Sequence, residues 1–374
     1  MEVQDLIQKN NLTECIQCGV CSGCCPVFRS FKFNVRRIIR DIILSDKIIL
    51  PENELWSCTT CSTCKIRCPR GLNPVDVIIY LRKLVLDDGH VLRSIRDTLE
   101  SVRIHGNPWR RVQRERSEWL QNLTVKNISQ GAELLYFVGC TPSYDPRIQN
   151  VARAMVECLN GAKINFGILG DEEVCCGNEV YGLGETALFN YLVDKNLKMF
   201  EQYCVEHVVT TCPHCYNAFK NKYGRINFEV HHHTQFIVDL IDKEKIRFRK
   251  EFKKNVAYHD PCFLGRVNSL YDEPRKIIES IPKVNFIELE RCREKSLCCE
   301  GGGGRIWVDL PAYPIKRIER SSEIRIKEAV DAGVDILVTA CPFCILMLED
   351  AIKSTRSEGL IQVMDIVELV SKAI

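Results

Sequence analysis

Apolar residues first recur at helical spacing. "FNVRRIIRDIILSDKIIL" at 33–50 and "VDVIIYLRKLVL" at 75–86 place hydrophobics three and four residues apart, which predicts amphipathic helices. From residue 133 the pattern changes to short apolar runs separated by helical stretches. "ELLYFVGC" reads as a strand running to Cys140, followed by "KINFGIL", "HVVTTC" and "NFEV". "KNVAYHDPC", running to Cys262, then "VNFIELE", "ILVTAC" and "LIQVMDIVELV" repeat that order. Helical patterns such as "ETALFNYLVDKNLKMFEQY" and "SSEIRIKEAVDAG" fill the gaps. Strand alternating with helix predicts parallel sheets with right-handed crossovers. The expected fold is α/β with an all-α N-terminal part. It has a helical domain at 1–92, a basic linker at 93–132, and two Rossmann-like halves at 133–250 and 251–374 paired about a pseudo-twofold axis.

The joining stretch "RSIRDTLESVRIHGNPWRRVQRERSEW" carries seven arginines around a Gly-Asn-Pro turn. It reads as a solvated helical linker, with docking of an acidic partner or an anionic substrate as the alternative. A chain of 374 residues is too long for one ordinary core, and 45% apolar with 27% charged residues is a soluble globular composition. A net charge of +2 gives no reason to expect nucleic acid as a partner. No apolar run approaches a membrane span, and "MEVQDLIQKN" has no signal-peptide core. The expected location is therefore cytoplasmic, peripheral to a membrane only through a partner.

The 22 cysteines change this picture. Reducing compartments do not maintain disulfide scaffolds, so dense cysteine points to zinc or iron–sulfur. Residues 15–26 read "CIQCGVCSGCCP" and 58–69 read "CTTCSTCKIRCP", each containing C-x2-C-x2-C-x3-C-P. This is the bacterial two-cluster ferredoxin run, in which the fourth cysteine crosses to the other cluster. One [4Fe–4S] cubane is thus expected on Cys15, Cys18, Cys21 and Cys68, and a second on Cys58, Cys61, Cys64 and Cys25. Cys24 is read as a bystander. Zinc knuckles, the competing reading, use two cysteine pairs across a longer loop.

Each later half supplies five cysteines: Cys140, Cys175, Cys176, Cys212 and Cys215, then Cys262, Cys298, Cys299, Cys341 and Cys344. Offsets between equivalents are 122 from Cys140 to Cys262, 123 from Cys175 to Cys298 and 129 from Cys212 to Cys341. All fall at carboxyl ends of strands or at helix starts, where open α/β sheets place ligands. Cys158, Cys204 and Cys292 are left as buried or incidental thiols. A cubane needs four thiolates, so a fifth suggests sulfurs bridging irons in an opened cluster. Adjacent thiolates such as Cys175 and Cys176 can reach neighbouring irons where they could not share one zinc.

The spacing Cys-x34-Cys-Cys-x35-Cys-x2-Cys, then Cys-x35-Cys-Cys-x41-Cys-x2-Cys, resembles the paired cysteine-rich CCG domains of heterodisulfide reductase. The front end resembles that enzyme's small two-cubane subunit, and the combination resembles its fused catalytic subunit. The resemblance implies a non-cubane [4Fe–4S] cluster in each half, with a disulfide cleaved between them, as in the CoB–CoM heterodisulfide chemistry of methanogenesis and in an anaerobic setting. Two one-electron clusters flanking a disulfide can each reduce one sulfur without releasing a thiyl radical. No flavin or nicotinamide fingerprint appears, so the expected donor is a partner protein: a membrane b-type cytochrome, a flavoprotein or a hydrogenase-type subunit. Other members imply other roles: an electron-transfer adaptor in a flavoprotein, electron-transfer-flavoprotein or quinone-linked complex, or a reductase of a sulfur-carrier protein. Glu300 departs from the Gly that usually follows the second Cys-Cys.

Four further features are candidates. His259, three residues before Cys262, is placed to donate a proton to a product thiolate, with cluster-loop support as the alternative. His232 lies in "HHH" at 231–233 and aligns with Asp365, so it either lines the site or is structural. Arg266 is a candidate holder of an anionic substrate tail. "GGGGR" at 301–305 lacks the Lys-Ser/Thr of a P-loop and reads as a tight turn bringing backbone amides to cluster sulfides.

Overall fold

A computed structural model describes residues 3–28, 31, 33–45, 52–89, 91–308 and 319–374. The tail of the helical pattern at 46–50 lies outside them. In the leading domain, helices Val3–Lys9, Val35–Leu44 and Pro74–Asp87 bury Leu6, Ile38, Ile39, Ile42, Ile78 and Leu81 around Trp56. Asn34 starts the second of these helices by accepting from Arg37 N at 3.0 Å, and Pro74 occupies the first turn of the third. Two one-turn helices, Val20–Gly23 and Thr63–Ile66, carry the cysteine loops and lie against each other.

The halves that follow share one topology. β1 (Leu134–Tyr136), β2 (Phe166–Gly167), β3 (His207–Thr210) and β4 (Glu229–His232) form a parallel sheet in the order β2-β1-β3-β4. β5 (Asn255–Tyr258), β6 (Asn285–Ile287), β7 (Ile336–Thr339) and β8 (Gln362–Asp365) repeat it as β6-β5-β7-β8. Tyr136 pairs with Val209 as Tyr258 pairs with Val338. Strands covered on both faces by helices are apolar throughout, and β1 and β7 are buried at every position. They are shorter than the apolar runs: β1 and β5 stop before Cys140 and Cys262, leaving loops that bend toward the cysteines.

One core joins the two halves. Helix Gln149–Gly161 packs on helix Ile366–Ala373, burying Met155, Val156 and Leu159 with Val367 and Val370. Arg147 reaches across to Glu349 at 2.5 Å and Glu368 at 2.9 Å. Deeper in, His233 Nε2 meets Asp365 Oδ1 at 3.0 Å with both side chains fully buried.

The linker is helical at Arg93–His105 with most of its arginines exposed, but it is also anchored at points the sequence did not show. Helix Arg93–His105 buries Ile95, Thr98 and Val102, and the Gly106 carbonyl accepts from Cys175 N at 2.7 Å. Arg116 is 2% exposed and bonds Glu173 at 2.6 Å. The Glu173 carboxylate also accepts from Val138 N and Gly139 N. The segment is thus anchored on the first half at Arg116 while its other six arginines face solvent, because a buried carboxylate requires a charged partner.

Arg82 locks the leading domain onto both halves. Its buried guanidinium donates to Leu55 O, Cys58 O, Gly182 O and Gly303 O at 2.6–3.1 Å. The first two carbonyls belong to the cysteine loop, the third to the first half and the fourth to the second.

Candidate metal centre

The leading-domain thiols surround two separate spaces. Cys15, Cys18, Cys21 and Cys68 line one. Cys25, Cys58, Cys61 and Cys64 line another. Cys24 lines neither, and its thiol faces Cys21 O at 3.6 Å. Cys18 is exposed whereas Cys58 and Cys61 are buried, so the first space faces outward and the second inward.

In the first half, Cys140, Cys175, Cys176, Cys212 and Cys215 all line one cavity. Leu99, Pro108, Trp307 and Phe343 supply apolar walls. Hydrogen bonds from Cys175 and Cys215 pull the Cys176 thiol down to about 6, giving it thiolate character at neutral pH. Arg116 Nη2 approaches Cys140 Sγ at 3.6 Å, while its Nε and Nη1 are buried without a protein partner.

The second half gathers its five thiols more tightly. Cys344 Sγ lies 3.3 Å from Cys299 Sγ, and Cys298 hydrogen-bonds to Cys262, Cys299 and Cys61. Burial opposes ionisation of Cys341, but Cys344 and His214 bring it down to about 6. Arg266 is buried here, and its Nη2 also lacks a protein partner.

These donor sets fit iron–sulfur clusters. Among the described residues, no three His, Cys, Asp or Glu side chains converge closely enough for a single metal ion. The thiols instead gather in groups of four in the leading domain and five in the first half, and soft thiolates in such numbers suit a multi-iron group. A buried guanidinium beside the thiols of each later half, with donors to spare, suits the anionic charge of thiolate-bound iron.

The linkage between the halves is His214, which no sequence motif singles out. It sits in "CPHC" of the first half, where the second half has Phe343 in "CPFC". Nδ1 lies 2.6 Å from Glu179 Oε1, and the imidazole also bonds to the Cys341 thiol of the other half. Burial disfavours its charge, but Glu179 and Cys341 hold its pKa well above the usual imidazole value. Phe263 and Phe343 pack on it with ring centroids 4.3 and 4.7 Å away. The substitution of His for Phe between otherwise matching cysteine pairs was the available signal.

The remaining candidates are accounted for locally. His259 is buried against the Cys299 thiol, and desolvation lowers its pKa. His232 caps helix His233–Asp242, and its imidazole lies between the backbones of Thr211 and Ala340, which precede Cys212 and Cys341. It does not line the first-half cavity. Arg266 donates to Cys61 O at 2.8 Å and Ser296 O at 2.7 Å, so it ties two domains together rather than facing an open substrate space. Glu300 adopts φ 72, which explains the preference for Gly there, and Oε1 accepts from Ser321 N at 2.6 Å. The glycine run serves a different approach from the one expected. A Cβ at Gly303 would lie 2.8 Å from Cys58 O, and one at Gly302 would lie 3.0 Å from Thr59 O.

The chain matches the cysteine-rich CCG domain at residues 134–220 and 256–349, and the 4Fe–4S dicluster domain at 11–72. It is 36% identical over 338 residues to a probable iron-sulfur-binding oxidoreductase, FadF, of Bacillus subtilis. It is 33% identical over 337 residues to the EtfAB:quinone oxidoreductase of Syntrophomonas wolfei. Each match covers 87% of this chain but only 47% of the relative, so the chain spans about half their length. A third relative is a subunit of the dihydromethanophenazine:CoB–CoM heterodisulfide reductase of Methanosarcina barkeri. The identity there is 31% over 400 residues, covering 98% of this chain and 95% of that one.

Proposed function

The chain is an iron–sulfur oxidoreductase of the family that includes this heterodisulfide reductase component, and from that premise we propose that it reduces or forms a small disulfide between its two cysteine-rich halves. Bound clusters supply one-electron transfer and iron sites for sulfur. Cys15, Cys18, Cys21 and Cys68 would hold one cubane, and Cys25, Cys58, Cys61 and Cys64 the other. Each half's five cysteines would hold a non-cubane cluster.

The observation that carries this reading is the contact of His214 with both halves, anchored on Glu179 and bonded to Cys341. It brings two five-thiol sites to a common wall. Reduction of a disulfide consumes two electrons and two protons and yields two thiols. Glu179 fixes the His214 imidazole beside Cys341, from where a ring N–H would reach a sulfur held between the halves. Trp307, packed edge-on against Phe343 at 5.4 Å, keeps the same wall dry. The partners would be a redox protein delivering one electron at a time and a small disulfide.

Anaerobic protein mixed with a disulfide of two unlike thiols should develop a paramagnetic signal that depends on the disulfide. No substrate-dependent signal, in protein whose halves are loaded with iron, would refute disulfide chemistry. The higher identity to FadF and to the EtfAB:quinone oxidoreductase favours a second reading, an electron-transfer adaptor within a larger quinone-linked protein. That reading predicts reduction of the same iron by a flavoprotein donor with no response to disulfide.

A further inference from the structure

The two halves match in topology and cysteine spacing, yet only one touches the dicluster domain through its thiols. Cys61 packs with Cys262, Phe263 and Cys298 in a single buried cluster. Cys298 Sγ lies 3.6 Å from Thr59 Oγ1. Arg266 spans the joint, donating to Cys61 O on one side and Ser296 O on the other. Arg82 closes it from behind by binding Cys58 O and Gly303 O together. None of the dicluster cysteines lines the first-half cavity, whose walls come from the linker helix, Trp307 and Phe343.

The glycine run is what permits this joint. Gly301–Gly304 stand where the first half has Asn178, Glu179, Val180 and Tyr181. Side chains at Gly302 and Gly303 would occupy the space of the 58–60 backbone, as the 2.8 Å approach of Cys58 O to a Cβ on Gly303 shows. The first half has filled the same positions, and uses Glu179 to hold His214.

We propose that electrons enter the disulfide site only through the second half, crossing at Cys61 and Cys298, with Arg266 as the positioning residue of that crossing. The second half is then proximal, and the first half is reached through it. This rests on the reading that each half holds a cluster. Each electron comes from a one-electron protein donor docked at the outward cysteine set, leaves the inward set oxidised again, and arrives in the second half. Two such transfers with two protons convert one disulfide to two thiols.

The test uses full-length holoprotein carrying C299S, C176S or R266Q, reduced anaerobically by a dicluster-docking donor such as reduced ferredoxin, with the iron oxidation states of each site followed by Mössbauer and paramagnetic resonance. In C299S the first-half iron should stay oxidised while both cubanes are reduced. In C176S the second-half iron should still be reduced. R266Q should slow reduction of the second half about tenfold, as loss of an outer-sphere partner does, with cubane potentials unchanged. Reduction of first-half iron in C299S at the wild-type rate, or an R266Q rate equal to wild type, would overturn the proposal. Iron analysis separates its failure from that of the function: wild-type protein with iron in the dicluster domain alone would sink the cluster reading itself.

Discussion

The first and second cysteine-rich halves have the same sheet order and the same five cysteines, but different surroundings. The first half builds its wall from Glu179 and His214 and accepts the buried Arg116 from the linker. The second half has Phe343 and Gly302 at the matching positions and accepts the dicluster loop instead. The five cysteines match between the halves while the residues among them differ: Glu179 and His214 in the first, Gly302 and Phe343 in the second. Thiolate geometry is demanding, whereas the spaces between thiolates are free to specialise.

The largest expected effect comes from removing a cluster ligand on either side. C176S and C299S should each reduce disulfide turnover to background while both cubane signals persist. Unchanged turnover in either would deny that half its role. Next is the His214–Glu179 pair. H214F makes the first half resemble the second but strands a buried carboxylate, so denaturant unfolding should show a loss of about 4 kcal/mol. Adding E179Q should recover much of it, and strict additivity in the double-mutant cycle would show that the two residues are not coupled.

The glycine run gives an intermediate effect. G303V inserts a β-branched residue at φ +64 against the Cys58 carbonyl, and should cost about 3 kcal/mol and loosen the dicluster domain to limited proteolysis. V180G, its mirror in the first half, should cost about 2 kcal/mol as a buried cavity without exposing that joint. Equal proteolysis of the two variants would erase the distinction. The smallest effect belongs to E300G. Relief of positive φ and loss of the bond to Ser321 N nearly cancel, so thermal unfolding should move stability by less than about 1 kcal/mol.

Much of this was legible in the chain. Apolar runs alternating with helical spacing place both sheets, and the two leading four-cysteine motifs are read directly from their spacing. What escaped were contacts between residues far apart in sequence. Six of the seven arginines around the turn are exposed as read, but the seventh, Arg116, is buried by Glu173, 57 residues later. The glycine run looks like a cluster-binding turn until the 58–60 backbone, more than 240 positions earlier, fills the space beside it. Arg266 looks like a substrate anchor because no local pattern reveals that Cys61 O and Ser296 O will meet it. Periodicity and spacing report local geometry, and a domain joint has neither.

The most direct test is the iron and labile sulfide content of anaerobically purified full-length protein. Four clusters require about sixteen iron atoms per chain, half lost when the cysteines of both later halves are replaced. A wild-type value near eight, unaltered by those replacements, would contradict the account.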